Sequence, residues 1–295
     1  MSLARELRRK PEALAGLAFV LPMVALFLVV RVVPALGALY LSFTEYSITD
    51  APRWVGLANY LRLLDDDIFR RAVWNTVLYT VGTVFPATVL ALVFAMMLDQ
   101  KIKGLAVFRT AYYIPAVASM VTVSMIWLYI FNAQFGVLNY ALSLLSIPRQ
   151  GWLDDPALAL PSIILIGIWK NLGYNIVIYL AGLQGIPAHL YEAARVDGAN
   201  AWRRFWSVTW PLLLPTTLLI WLMTGIFALQ VFDQIFVLTA GGPADATTSV
   251  VFEIYRNGFQ YFKMGYASAM AFVLFAIILT ASLLSLRLSA RAFRY

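Results

Sequence analysis

Residues 72–98 read AVWNTVLYTVGTVFPATVLALVFAMML and contain no charged side chain. A helix needs roughly 20 predominantly apolar residues to cross the hydrocarbon core of a membrane. Hydrocarbon offers the backbone no hydrogen-bond partner, so a single segment that crosses it must be helical. The stretch therefore predicts a transmembrane helix.

Five further segments of similar composition predict an all-α, polytopic membrane protein with six transmembrane helices between residues 13 and 286. The 295 residues are 62 % hydrophobic and 13 % charged, whereas soluble domains have about 45–50 % apolar and about 25 % charged residues. Arg31 is expected at the outer end of the first span. The other predicted spans are Ala13–Val30, Thr110–Phe131, Ala157–Gly185, Phe205–Phe232 and Met264–Leu286.

The distribution of charge predicts which side of the membrane each loop occupies. The net charge of +7 does not indicate nucleic-acid binding, because the basic residues lie between apolar segments. The side that holds both termini carries 13 Lys and Arg, and the other side carries 7. By the positive-inside rule, the tails 1–12 and 287–295 are cytoplasmic. The first span is longer than a usual signal-peptide core and is expected to remain.

The rarest residue types exclude several kinds of site. The chain has no cysteine and a single histidine, His189. Disulfides, iron–sulfur clusters, thiolate zinc sites and histidine-rich metal sites are therefore excluded. We expect no catalytic residue and no metal site in this chain.

The loop 187–205, between the fourth and fifth spans, carries the most specific pattern. Pro187 suits the first turn of a helix, and Asp197-Gly198 can end or bend one. We expect a helix, a turn and a second helix on the inner face of the membrane. The small side chains of Ala193 and Ala194 would let another protein approach the backbone closely. A solvated connecting loop that happens to be helical is the alternative.

This loop resembles the EAA motif of the permease subunits of binding-protein-dependent ABC importers. The motif is Glu192-Ala193-Ala194, then Gly198, then Val208-Thr209-Trp210-Pro211. The family ends the pattern in Ile-x-Leu-Pro, so Val208 and Trp210 are departures. Tyr191, Asp197 and Ala199 resemble the carbohydrate-uptake branch, which includes the maltose and glycerol-3-phosphate permeases. Gly241-Gly242-Pro243 and its neighbours resemble the same branch.

The resemblance implies a type I ABC importer-like fold in a bacterial or archaeal plasma (inner) membrane. It implies two ATPase subunits, which bind ATP and Mg, and an extracytoplasmic solute-binding protein. It also implies a second, homologous permease, with a homodimer as the alternative. This chain has no GxxxxGK[ST] phosphate loop and is not expected to be an enzyme or to bind a cofactor. The residues implied to couple to the ATPase are Glu192, Ala193, Ala194, Asp197, Gly198 and Arg203.

Polar side chains in two spans are candidates for the wall of a solute pathway. At about 100° per residue, Lys170, Asn171, Tyr174 and Asn175 share one broad helix face. A lysine within a span usually faces the bundle interior or a water-filled cavity. Pairing of Lys170 with Asp233, or snorkelling, is the alternative. The resemblance to the maltose permease supports Tyr174 most. Further candidates lie in and just after the fifth span, some of them at positions that match the maltose permease. They are Thr224, Phe227, Gln230 and Asp233, and Gln234 could also contribute.

The preferred solute is a neutral mono- or oligosaccharide. Because Lys170 could attract an anion, glycerol 3-phosphate or a related phosphodiester is the alternative. An ion-coupled secondary transporter is the rival of another class. It would need an intramembrane ion site, and no carboxylate lies securely inside a predicted span.

Overall fold

The computed structural model describes residues 11–99 and 104–292, with side chains for 15–99, 104 and 107–287. Of the predicted cytoplasmic basic residues, Arg5, Arg8, Arg9, Lys10, Lys101, Lys103 and Arg294 lie outside the described residues. The first half of the described chain contains α1 (Pro11–Phe27), α2 (Val33–Ser42), β1 (Thr44–Glu45), β2 (Arg53–Trp54), α3 (Ala58–Asp65), α4 (Asp67–Leu98), α5 (Leu105–Val117), α6 (Met120–Ile130) and α7 (Val137–Leu144).

The second half continues with helices of very different length. They are α8 (Pro156–Gln184), α9 (Ala188–Val196), α10 (Ala201–Arg204), α11 (Trp210–Leu229), α12 (Asp233–Leu238), α13 (Val250–Tyr255) and α14 (Met264–Ala292). Three π-helical turns, Leu28–Val32, Phe205–Thr209 and Arg256–Gln260, lie beside α2, α11 and α13.

Among the described residues, five helices are long and apolar enough to cross a membrane. They are Ala15–Ser42, Asp67–Leu98, Pro156–Gln184, Ala201–Leu229 and Met264–Arg287. The first helix continues past Arg31 to Ser42, so Arg31 lies within the helix, and its place at the outer end of the membrane crossing stays a prediction. The apolar sequence after Arg31 carries the helix on through a π-helical turn.

The third predicted span, Thr110–Phe131, is not one helix. It consists of α5 and α6, which meet at an angle of 101°. Pro115 lies in the last turn of α5, and Ala118 and Ser119 have extended backbones with ψ near 140°. Proline cannot donate to the helical ladder, and an extended residue cannot continue it. The sequence is apolar enough for a span, but its backbone breaks.

Two long helices begin at aspartates that cap them. The Asp66 carboxylate accepts hydrogen bonds from the amides of Ile68 and Phe69 at 2.9 and 3.0 Å. Asp155 accepts one from Ala157 at 2.8 Å, and Pro156 occupies the first helical position. Side-chain oxygens at these positions satisfy amides that have no partner within the helix.

The described chain divides into two compact units, the first formed by the residues up to Leu64 together with Ile254–Phe272. In this unit β1 and β2 pair antiparallel, with Thr44 opposite Trp54. The Asn59 amide donates to the carbonyls of Ser42 and Thr44 at 2.9 and 2.8 Å, which fixes α3 to the hairpin. A Cβ at Gly265 would collide with the Thr44 carbonyl.

The second unit comprises Asp65–Glu253 and the described residues from Val273 onward. Its core is built where α4 packs against α8. Alanines on α4, and Gly167 on α8, allow the two helices to approach closely. A Cβ at Gly167 would lie 2.5 Å from the Tyr79 hydroxyl oxygen. The largest fully buried apolar side chains of this unit include Tyr179, Phe131, Ile163, Ile166, Leu213, Ile220 and Ile235.

Candidate functional site

The segment between α8 and α11 folds as a helix, a tight turn and a second helix, as the loop pattern predicts. Helix α9 follows Pro187 and ends at Val196. Gly198 has φ +74°, and its amide bonds to the Arg195 carbonyl at 3.0 Å. The Ala199 amide bonds to the Ala194 carbonyl at 2.9 Å. This is the Schellman ending of a helix, which places glycine in the left-handed region.

The turn is held against the helix that follows it. The Asn200 side chain caps α10 by accepting from the Arg203 amide at 2.9 Å. The Tyr191 and Thr209 hydroxyls lie 3.0 Å apart, and the Arg204 guanidinium reaches the Ala199 carbonyl at 3.3 Å. These bonds fix the angle at which α9 meets the long helix, so a push on α9 would be transmitted to that helix.

The outer surface of this segment is exposed in the single chain. Glu192, Ala193, Arg195, Asp197 and Gly198 are exposed, as is Arg203, and Ala194 is half-buried. Two large apolar side chains extend the surface, because Val196 is 89 % exposed and Trp202 is 70 % exposed. A rigid helix with small side chains at its centre and apolar and charged groups around them has the form of a protein-docking surface.

The predicted pathway residues meet in part at a cavity of about 370 Å³ in the second unit. Lys170 and Asn171, from the predicted polar face of α8, line it together with three of the later candidates, Phe227, Gln230 and Asp233. The remaining lining residues, which the prediction did not commit to, are Tyr79, Met120, Gly167, Ala228, Val231, Phe232 and Gln234.

Three predicted pathway residues do not line this cavity. The Thr224 hydroxyl donates to the Asn175 amide oxygen at 3.3 Å, and both side chains are buried. Tyr174 lies on the same helix and is 47 % exposed. A helix face spanned by Lys170 to Asn175 is too broad for a single cavity, so only its first two residues reach the lining.

Two alternatives were open for the charge of Lys170, an ion pair with Asp233 and snorkelling to an interface. Neither is observed. Its ammonium donates to the carbonyls of Pro115 and Ala116 at 2.6 and 3.1 Å, and also to that of Ala118. In the described part of the chain, the Asp233 carboxylate has no ion-pair partner. The cavity wall therefore holds an acceptor at Asp233, whereas Lys170 directs its donors into the adjoining helix end.

Gln234, a possible contributor from the sequence, forms a polar pair with Tyr79, which no sequence pattern predicted. The Gln234 amide nitrogen donates to the Tyr79 hydroxyl oxygen, and both side chains are buried. Within the described chain, the Gln234 Oε1 atom has no hydrogen-bond partner. Buried polar atoms are usually paired, so this oxygen is an exception in a residue that lines the cavity. Tyr79 is one of fifteen tyrosines, and no sequence pattern distinguishes it.

The cavity is lined by hydrogen-bonding groups and by aromatic rings. It combines amides, a carboxylate and the aromatic rings of Tyr79, Phe227 and Phe232. Such groups suit a solute with many hydroxyls and an apolar face. The described residues contain no group of three or more histidines, aspartates or glutamates that could hold a metal ion.

A known protein family matches residues 69–294. The family is described as the binding-protein-dependent transport system inner membrane component.

Several curated proteins are similar over nearly the whole chain. The trehalose/maltose transport system permease protein MalF of Thermococcus litoralis is 35 % identical, with 94 % of each chain covered. The probable ABC transporter permease protein YesP of Bacillus subtilis is 36 % identical over 94 % of this chain and 90 % of its own. The sn-glycerol-3-phosphate transport system permease protein UgpA of Agrobacterium fabrum is 32 % identical over 97 % of this chain and 98 % of its own.

Among solved structures, a chain of the bacterial alginate ABC transporter in complex with an alginate pentasaccharide-bound periplasmic protein is similar. It is 25 % identical and superposes with a TM-score of 0.87 over 99 % of this chain and 98 % of its own. A methionine ABC transporter, MetNI, has a TM-score of 0.55 over 77 % of this chain and 97 % of its own, which shows a shared fold.

Proposed function

Since this chain belongs to the family of inner membrane components of binding-protein-dependent transport systems, we propose that it forms the pathway for a carbohydrate in an ATP-driven importer. It is a permease of the sugar and glycerol-phosphate branch, so the predicted resemblance and the type I importer fold are confirmed. Its long apolar helices make it a multi-pass membrane protein. Its relatives are permease subunits of ABC transporters and not enzymes.

The choice of a carbohydrate rests on one observation, the cavity that contains Asn171, Gln230, Asp233 and Gln234 beside aromatic rings. Amides both donate hydrogen bonds to hydroxyls and accept them, whereas an ionised carboxylate accepts them. The described lining contains no arginine, and the ammonium of its one lysine is bonded to carbonyls. Glycerol 3-phosphate, which UgpA relatives carry by name, remains the second candidate, because an anion would still be attracted by that charge.

We propose that α9 couples this chain to a separate ATPase subunit. Its exposed surface and its Schellman turn support this role, since a rigid helix transmits a push that a flexible loop would absorb. Glu192, Ala193, Ala194, Asp197, Gly198 and Arg203 would form the contact. ATP and Mg would be bound by the ATPase, and α9 would lie on the cytoplasmic side together with both termini.

The other proposed partners are a solute-binding protein and a second, homologous permease. Support for the first comes from the similar alginate transporter, which was crystallised with its periplasmic protein. The exposed apolar side chains of the long helices are available to lipid and to a second permease.

Purification of the tagged chain from its native membrane tests the complex. We expect mass spectrometry to find an ATPase with a phosphate loop, a second permease and a solute-binding protein. In reconstituted vesicles, ATP should drive uptake of a neutral sugar but not of glycerol 3-phosphate. Glu192→Lys should abolish this uptake, while the chain still inserts. Uptake that survives ATP depletion but requires an ion gradient would instead identify a secondary transporter.

A further inference from the structure

The break between α5 and α6 frees backbone carbonyls in the second unit. Helix α5 ends at Val117, and the last carbonyls of a helix have no amide partner within it. Ala118 and Ser119 are extended, so the next helix cannot supply those amides in sequence. In a membrane, each free carbonyl is costly unless another group bonds to it.

Lys170 on α8 supplies the missing donors. An ammonium group has three hydrogens and no acceptor, and here it meets three carbonyl oxygens, those of Pro115, Ala116 and Ala118. The C-terminal end of a helix also carries a partial negative charge, which favours a nearby cation. The half-buried ammonium and the freed carbonyls thus satisfy one another.

A second contact joins the same two helices one turn further along α8. A Cβ at Gly173 would collide with the Tyr112 carbonyl of α5. Residues three apart lie on the same helix face, so Lys170 and Gly173 present one surface to α5. The join fixes both the position of α5 and the point at which it bends.

We propose that Lys170 is a positioning residue that clamps the bend between α5 and α6. The clamp sets where α6 begins, at Met120, which lines the same cavity as Lys170. All three hydrogens of the ammonium are used by carbonyls, so Lys170 shapes the cavity and does not bind the solute. The clamp itself is independent of the proposed function, and only its effect on uptake rests on that function.

The test measures the bend directly. Val107 and Tyr129 are exposed and lie on opposite sides of the break, and the chain has no cysteine to interfere. Val107→Cys and Tyr129→Cys are spin-labelled in the complete importer in lipid nanodiscs, and the distance between the labels is measured by pulsed electron paramagnetic resonance. We expect one narrow population with Lys170, and loss of that population in Lys170→Met.

Two milder substitutions of Lys170 test the same contact if the Lys170→Met protein does not insert into the membrane. Lys170→Arg should retain the narrow population, and Lys170→Gln, with two donors, should broaden it. Asn171→Ala is the matched control, since in the described structure its amide nitrogen donates within α8, to the Gly167 carbonyl at 2.8 Å. It should leave the distance unchanged. A distance that is the same in Lys170→Gln as with Lys170 would overturn the clamp, whatever happens to uptake.

Discussion

At the scale of single residues, substitutions of Gln234 and Tyr79 can distinguish a structural role of this pair from a role in binding the solute. The Gln234 amide nitrogen is bonded to Tyr79, and its Oε1 atom lacks a partner in the described structure. If that oxygen receives a hydroxyl of the sugar, Gln234→Leu should lower the initial rate of uptake by roughly 3- to 10-fold, the value of one hydrogen bond.

The double variant Gln234→Leu/Tyr79→Phe separates the two roles. Removing both partners of a buried hydrogen bond is often nearly neutral for stability, whereas leaving one unpaired is costly. We therefore expect the double variant to regain thermal stability but not uptake. Recovery of uptake together with stability would show that the pair is structural only.

Gly198 tests the turn that ends α9. In the described structure, a Cβ at this position would meet nothing within 4 Å, yet φ is +74°. A β-branched residue in this region costs about 1–2 kcal/mol, so Gly198→Val should reduce ATP-driven uptake about tenfold without preventing insertion. Asparagine tolerates the left-handed region, and Gly198→Asn should retain most uptake. Equal loss in both variants would show that the partner, not the backbone, excludes a side chain.

At the scale of elements, hydrophobic runs predict the long helices well because burial in lipid requires such runs. The loop 187–205 is also predictable, since Pro187 and Gly198 carry local signals for the start and end of a helix. The break at Ala118 is not, because Pro115 alone is compatible with a kink or an intact helix. Nothing local marks Lys170 as its partner, since Lys170 lies 52 residues beyond Ala118.

The close approach of α5 and α8 gives a prediction about stability. Alanine in a helix interior is favoured over glycine by roughly 0.5–1 kcal/mol, but overpacking costs typically 1–3 kcal/mol. Gly173→Ala should therefore lower the temperature at which the purified chain aggregates. Gly225→Ala is the control, since the described structure leaves open space around its Cβ. A Gly173→Ala protein as stable as the Gly225→Ala protein would refute the close packing.

At the scale of the whole molecule, the helical membrane fold and the family follow from the sequence, but the cavity does not. Asn171 and Asp233 are 62 positions apart, and only the fold brings them to one cavity. The exclusion of Asn175 and Tyr174 from its lining is set by the packing of α8 on its neighbours, which a helix-face argument does not include.

The charge distribution predicts the orientation of the whole chain. Ile48 and Trp202 are both exposed and fall on opposite predicted sides. In cells whose plasma membrane is intact but whose outer envelope has been removed, an impermeant maleimide should label Ile48→Cys and not Trp202→Cys. After the cells are opened, both should react. Labelling of Trp202→Cys from outside would reverse the predicted topology.

The most direct measurement of the central proposal is a crosslink from the surface of α9 in the working importer. Val196→Cys, coupled to a benzophenone maleimide and illuminated in native membranes, should form an adduct with an ATPase that contains a phosphate loop. The same probe at Ile48→Cys should not. An α9 probe that never reaches an ATPase, in membranes where uptake persists without ATP, would contradict the account.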